Sequence, residues 1–127
     1  MLELKTEPLM TVRGIVAPPL PVGATPLGTR MLANVKGGSF EGARLKGEIL
    51  DSGADWLLVR GDGSFAIDVR IVLKTDDDAL IYVTYNGRWT FSPEVGARLF
   101  DPAQAASVDP SEYYFRTAPF FETGDER

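Results

Sequence analysis

Asp55-Trp56 is the first place in this chain where residue types suggest chemistry. A carboxylate that follows a turn and precedes a large aromatic can sit at the mouth of a fold, against an apolar wall. Desolvation there raises its pKa toward a value useful for proton transfer. The competing role is structural, with Asp55 capping the turn and Trp56 filling the core. Asp68 and Arg70 lie two residues apart and so share one face of an extended run. Facing inward, they present an anchored guanidinium to a carboxylate, phosphate or carbonyl ligand. Facing outward, they are a solvated pair of little energetic weight. Tyr82 and Tyr85 fall on opposite faces of their own run, so one of them accompanies whichever side lines a cavity. Tyr82 is coupled with Asp55 as the candidate acid–base pair, its competing role being core or interface filler. Arg116 and Glu122 flank Pro119, and a buried Arg116 needs a carboxylate from Glu122, Asp55 or Asp68; a salt bridge that pins the C-terminal segment is the simpler role. The candidate catalytic residues are therefore Asp55 and Tyr82. The candidate ligand-binding residues are Trp56, Asp68, Arg70, Arg116 and Glu122.

Composition narrows what these residues can do. The chain has no histidine and no cysteine. That removes the commonest general base, Ser-His triads, thiolate nucleophiles, disulfides and Cys-ligated metal sites. No metal site and no cofactor are expected. Asp76-Asp77-Asp78 lacks the alternating ligands and terminal Glu of a calcium loop and reads as a solvated turn. The net charge of −5 is the wrong sign for phosphate backbones and for anionic membrane surfaces, so neither nucleic acid nor membrane is an expected partner. No apolar run approaches the roughly 18 residues that span a bilayer. The N-terminus lacks a basic-then-apolar leader pattern, and a cytoplasmic location is the expectation.

The elements that must position these groups are almost all strands. At 127 residues, with 44% apolar and 24% charged, the chain fits one globular domain. Residues 2–6 alternate apolar and polar, the pattern of a half-buried strand, and Pro8 ends it. A strand follows over 9–17. Pro18-Pro19-Leu20-Pro21 continuing to Gly28 reads as a stiff loop. Strands are expected over 29–36 and 40–50, separated by Gly37-Gly38, with Gly42 and Gly47 marking sharp bends. Asp51-Ser52-Gly53, Gly61-Asp62-Gly63, Asp76-Asp77-Asp78 and Asn86-Gly87 read as turns. Between them lie strands at 55–60, 65–75 and 79–85. The 65–75 run alternates most clearly: Phe65, Ile67, Val69, Ile71 and Leu73 form an apolar face that a bare barrel turns inward, leaving Asp68 and Arg70 outside. Ser92-Pro93 and Asp101-Pro102 start one or two short helical turns between 93 and 108. Strand returns at 113–117. Closely spaced strands with paired glycines predict an all-β fold, a single curved antiparallel barrel.

The chain resembles the domain-of-unknown-function 3237 family. The residues that carry this are Gly37-Gly38-Ser39-Phe40-Glu41-Gly42, Ala54-Asp55-Trp56, Arg60-Gly61-Asp62-Gly63, Asp68-Val69-Arg70, Thr75-Asp76-Asp77, Ala79-Leu80-Ile81-Tyr82, Tyr114-Phe115-Arg116-Thr117-Ala118-Pro119 and Phe121-Glu122-Thr123-Gly124. The resemblance implies a small calycin- or lipocalin-like β-barrel from a bacterial or fungal source, and supplies no established activity. Ala43 stands where the family tends to proline, and Asp78 where it tends to glycine. The resemblance also implies a closing strand beyond Gly124, which this sequence lacks. The exposed edge so created leads to an expected homodimer or higher homo-oligomer.

Two functions fit. One is a barrel that binds a small organic ligand and, without His or Cys, runs cofactor-free proton transfer such as isomerisation, dehydration or cyclisation. The other is a non-catalytic interaction module that associates through a barrel face. A cavity of several hundred Å³ favours the first, and a solidly filled barrel the second.

Overall fold

In the computed structural model, which describes residues 2–127, the register of one strand organises the molecule. Strand β6 (Phe65–Thr75) alternates strictly: Phe65, Ile67, Val69, Ile71 and Leu73 are buried, and the residues between them are half-buried or exposed. Burying that face requires curvature, and the sheet supplies it. Eight strands form one antiparallel sheet, with β1 (Thr11–Val16), β2 (Leu20–Thr25), β3 (Gly28–Glu41), β4 (Lys46–Asp55), β5 (Leu58–Val59), β7 (Leu80–Thr90) and β8 (Tyr114–Thr123) joining β6. The main path is β1-β3-β4-β6-β7-β8; β2 pairs with β3, and β5 bridges β3 and β6. The sheet curls into a barrel around a core of Val35, Phe40, Ile49, Ile67, Val69, Ile71, Leu73 and Val83. Among the described residues no ladder joins β1 to β8, and these two strands are exposed along their whole lengths.

One end of the barrel is closed by aromatic rings. Phe65, Trp89 and Phe115 stand opposite one another on β6, β7 and β8, and Phe91 and Phe100 pack against them with centroids 5.0–6.0 Å apart. Helix α1 (Pro93–Leu99) brings Phe100 there. Ser92 caps it by accepting from the Val95 N–H, and Pro93 occupies its first turn, as the sequence predicts. Turns of 3-10 helix at Ala105–Ser107 and Pro110–Glu112 lead into β8. None of these helices is long and apolar enough to cross a membrane.

Several expected boundaries move, each for a tertiary reason. Residues 2–6 form no strand. The proline-rich stretch is not a loop: Leu20–Thr25 pairs along one side of β3, and proline is tolerated in a strand bonded on one side only. Gly37-Gly38 does not end β3. Both glycines take positive φ, 136° and 138°, and bend a strand that runs on to Glu41. Asp51-Ser52-Gly53 lies inside β4, at a register shift between Ile49 and Gly53. Asn86-Gly87 is no hairpin either. Strand β7 continues straight through it because β8 pairs along its whole length, and a Cβ at Gly87 would lie 2.4 Å from the Arg116 carbonyl oxygen.

Candidate functional site

Side-chain direction in a sheet follows from pairing, since residues opposite one another share a face. Ala33, Asp55, Val69, Tyr85 and Pro119 are successive partners across β3, β4, β6, β7 and β8. Ala33 and Val69 belong to the core, so Asp55 and Tyr85 point inward with them. The next row, Asn34, Ala54, Arg70, Thr84 and Phe120, takes the outer face, where Ala54 alone is buried. One residue of parity therefore separates the interior from the surface.

Asp55 ends β4. Its carboxylate Oδ1 accepts the Asp68 N–H at 3.0 Å, and the Trp56 N–H donates to the Asp68 carbonyl at 2.8 Å. The side chain thus completes the ladder where β4 leaves it, across the sheet to β6 rather than by capping its own turn. Burial pushes the Asp55 pKa above its ordinary 3.8; the bond from the Asp68 N–H opposes this, and the Asp68 charge adds to it. Tyr85 also has its pKa raised, first by burial and then by the negative charge of Asp55. A phenol raised above 10.0 stays protonated at neutral pH, so Tyr85 is a hydrogen-bond donor.

Tyr85 lines a cavity of about 510 Å³ that lies between the facing edges of β1 and β8. Its floor is apolar, formed by Val35, Ile49, Ile71, Leu73 and Val83, and Val12 and Phe121 stand at its sides. Among the described residues, the polar side chains on its wall are Tyr85 and Thr117, and none that lines it is charged. Asp55 lies on the same row two strands away, beyond Val69, and is not on the cavity wall. The protonated Tyr85 phenol above an apolar floor can hold a carbonyl or hydroxyl oxygen by hydrogen bonding.

The other candidates lie elsewhere. Tyr82 is 40% exposed and sits on the outer face opposite Val72 and Glu122; the cavity phenol is Tyr85. Asp68 and Arg70 face outward, as a bare barrel requires. Trp56 neither fills the core nor walls in Asp55. It lies 39% exposed on the outside, its ring 5.7 Å from the Arg70 guanidinium and its carbonyl accepting from Arg30 Nη1 at 2.8 Å. Arg116 is not a buried cation with a carboxylate partner. It stands opposite Arg88 on the outer face, over the Tyr114 ring at 5.2 Å, with Nη1 donating to the Phe115 carbonyl. Six residues of strand put Glu122 about 20 Å from it, beyond ion-pair reach. The three turn aspartates diverge: Asp76 faces Lys46 at 3.9 Å, Asp78 faces Lys74 at 3.4 Å, and Asp77 meets Arg127.

Residues 4–127 match the family described as "Protein of unknown function (DUF3237)". The chain belongs to that family. It is 33% identical over 122 residues to a UPF0311 protein of Clostridium acetobutylicum, a match covering 95% of this chain and 75% of that one. A UPF0311 protein of Rhodopseudomonas palustris is 30% identical over 121 residues, covering 95% and 77%. Among solved structures, the fold superposes with TM-score 0.90 on a conserved protein of unknown function from Rhodopseudomonas palustris, 29% identical, over 99% of this chain and 81% of that one. A β-barrel-like protein from Acinetobacter baumannii gives TM-score 0.70 at 37% identity, over 97% and 82%. The resemblance seen in the sequence motifs and the expected antiparallel β-barrel both hold. Asp78, where the resemblance implies glycine, takes φ 70°, a left-handed conformation that glycine adopts at lower cost.

Proposed function

We propose that the barrel interior binds a small organic ligand, with the Tyr85 phenol and the Thr117 hydroxyl as the polar groups on its wall and the Asp55 carboxyl further along the Tyr85 row. One observation carries this reading: the cavity of about 510 Å³ lies within the 300–1,000 Å³ range of small-molecule sites and joins an apolar floor to a few polar groups. The raised pKa of Asp55 moves its carboxyl toward the range that acid–base sites use. Proton transfer of isomerase, dehydratase or cyclase type is the chemistry this carboxyl supports without histidine or cysteine where a ligand reaches it from the cavity. The test is a thermal-shift and fluorescence screen of small organic compounds, repeated on Tyr85→Phe, Asp55→Asn, Tyr82→Phe and Arg70→Ala proteins. Affinity or turnover falls in the first two and holds in the last two. Loss confined to the Tyr82 or Arg70 variant sinks the assignment.

A second reading, a non-catalytic module that forms homo-oligomers, draws support from the exposed apolar side chains of β1, with Ile15 63% and Val16 54% exposed. Pro119 on β8 works against pairing along that edge, because it has no N–H to donate. A dimeric mass by light scattering at micromolar concentration favours this reading, and a monomeric mass counts against it.

A further inference from the structure

We infer that the ligand of this cavity is uncharged, with an apolar body and one oxygen-bearing end held at Tyr85 and Thr117. This rests on the cavity being a ligand site, and it adds the chemical class. Three features of the wall carry it.

The first is charge. None of the side chains on the cavity wall is a cation or an anion, and the arginines first considered as anchors, Arg70 and Arg116, lie on the outer face. A carboxylate or phosphate entering here would leave water and meet no counter-ion, which buried anions require. The ionisable group nearest by register is Asp55, itself acidic, and its charge is felt at Tyr85. An anion is therefore opposed twice, by desolvation and by a like charge. A buried cation would find no counter-ion on the wall either, since Asp55 is not part of it.

The second is polarity along the cavity. Tyr85 and Thr117 belong to β7 and β8, and Thr117 faces Gly87, two residues beyond Tyr85. Diagonal neighbours of this kind stand about 7–8 Å apart, so both hydroxyls can reach one ligand end. The floor, with Val35, Ile49, Ile71 and Leu73, and the Val12 side chain offer only hydrocarbon. The ligand's polar end is thereby fixed at the two hydroxyls and its body over the floor.

The third is access. The cavity opens laterally between β1 and β8, where Val12 is 45% and Phe121 46% exposed. A molecule of this kind can enter through that seam without unpacking the core.

The experiment uses two matched pairs of probes on the purified protein at pH 8: N-phenyl-1-naphthylamine against its anionic relative 8-anilino-1-naphthalenesulfonate, and 1-decanol against decanoate as displacing ligands. The neutral member of each pair binds at least tenfold more tightly. Tyr85→Phe weakens 1-decanol about fivefold and leaves decanoate unchanged, and Asp55→Asn narrows the gap between 1-decanol and decanoate. Equal or tighter binding of the anionic members overturns the ligand class while leaving the cavity as a ligand site. Failure of all four to bind overturns the cavity reading itself. Val12→Trp, a change at an exposed strand position, fills the mouth and abolishes binding. Undiminished binding to that variant places the probes elsewhere and overturns both.

Discussion

Two groupings of the same residue types lie back to back in this barrel wall. Inside, Asp55 and Tyr85 stand over apolar side chains, and burial moves both their pKa values. Outside, Asp68 is half-buried and Arg70 and Tyr82 are exposed, and the Arg70 guanidinium rests over the Trp56 ring. The two groupings share one stretch of wall, β4 to β7, and differ in which face of it they take. Aspartate next to an aromatic is therefore no guide to chemistry until the face is known. In a half-buried sheet the face decides whether a carboxylate meets low dielectric or water.

The sharpest way to break this comparison is to delete apolar volume from each face of β6 in turn. Leu73 is 1% exposed, and Leu73→Ala should lower the unfolding free energy by about 2–5 kcal/mol. Val72→Ala, on the outer face, should cost less than about 1 kcal/mol. Urea denaturation of both variants reads the difference, and equal costs would erase the distinction between the faces. The two tyrosines give the next largest contrast. Tyr85→Phe should weaken a neutral hydroxylated ligand by about 1 kcal/mol, the net worth of one hydrogen bond. Tyr82→Phe should leave affinity unchanged in the same titration.

Asp55 gives a pH-dependent contrast. Its folded-state pKa is raised above the ordinary 3.8. The folded protein thus binds a proton more readily than the unfolded chain, and stability falls as pH rises from 3.8 through the raised value. Asp55→Asn removes that loss and keeps an oxygen for the Asp68 N–H. It should stabilise the protein at pH 7 by a few tenths to about 1 kcal/mol, discounted for the part of the side chain that water reaches. The gain should disappear below pH 3.8, as followed by melting temperature against pH. The smallest effect belongs to the outer grouping: Arg70→Ala should cost about 0.5 kcal/mol, the worth of an exposed cation–aromatic contact, in the same denaturation assay.

Much of the fold was legible where local pattern and tertiary demand agree. The 65–75 strand, the turn at 76–78 and the cap at Ser92-Pro93 all carry signals that neighbours reinforce. Asn86-Gly87 misleads because its turn preference is real but outweighed by ten residue pairs between β7 and β8. The proline-rich 18–28 stretch misleads because one-sided pairing removes the usual objection to proline in a strand. At the site, Asp55 could be chosen from sequence, whereas Tyr85 could not be separated from Tyr82. The signal that separates them is parity: Tyr85 faces Val69 across β6 and β7, and Val69 lies on the apolar face of the most regular strand. Counting that register from Asp76-Asp77-Asp78 identifies the inward tyrosine. Arg116 and Trp56 were hidden for another reason. Each is held by an aromatic–cation contact on the outer wall, and such contacts leave no periodic trace.

The central claim is that the inner face, with Tyr85 at its polar end, receives a neutral ligand. Methyl-resolved NMR with 1-decanol tests it most directly. The methyl signals of Ile49, Ile71 and Val83 should shift together and saturably while those of Val72 on the outer face stay in place. Shifts centred on Val72, or none at any of the inner methyls at millimolar ligand, would contradict it.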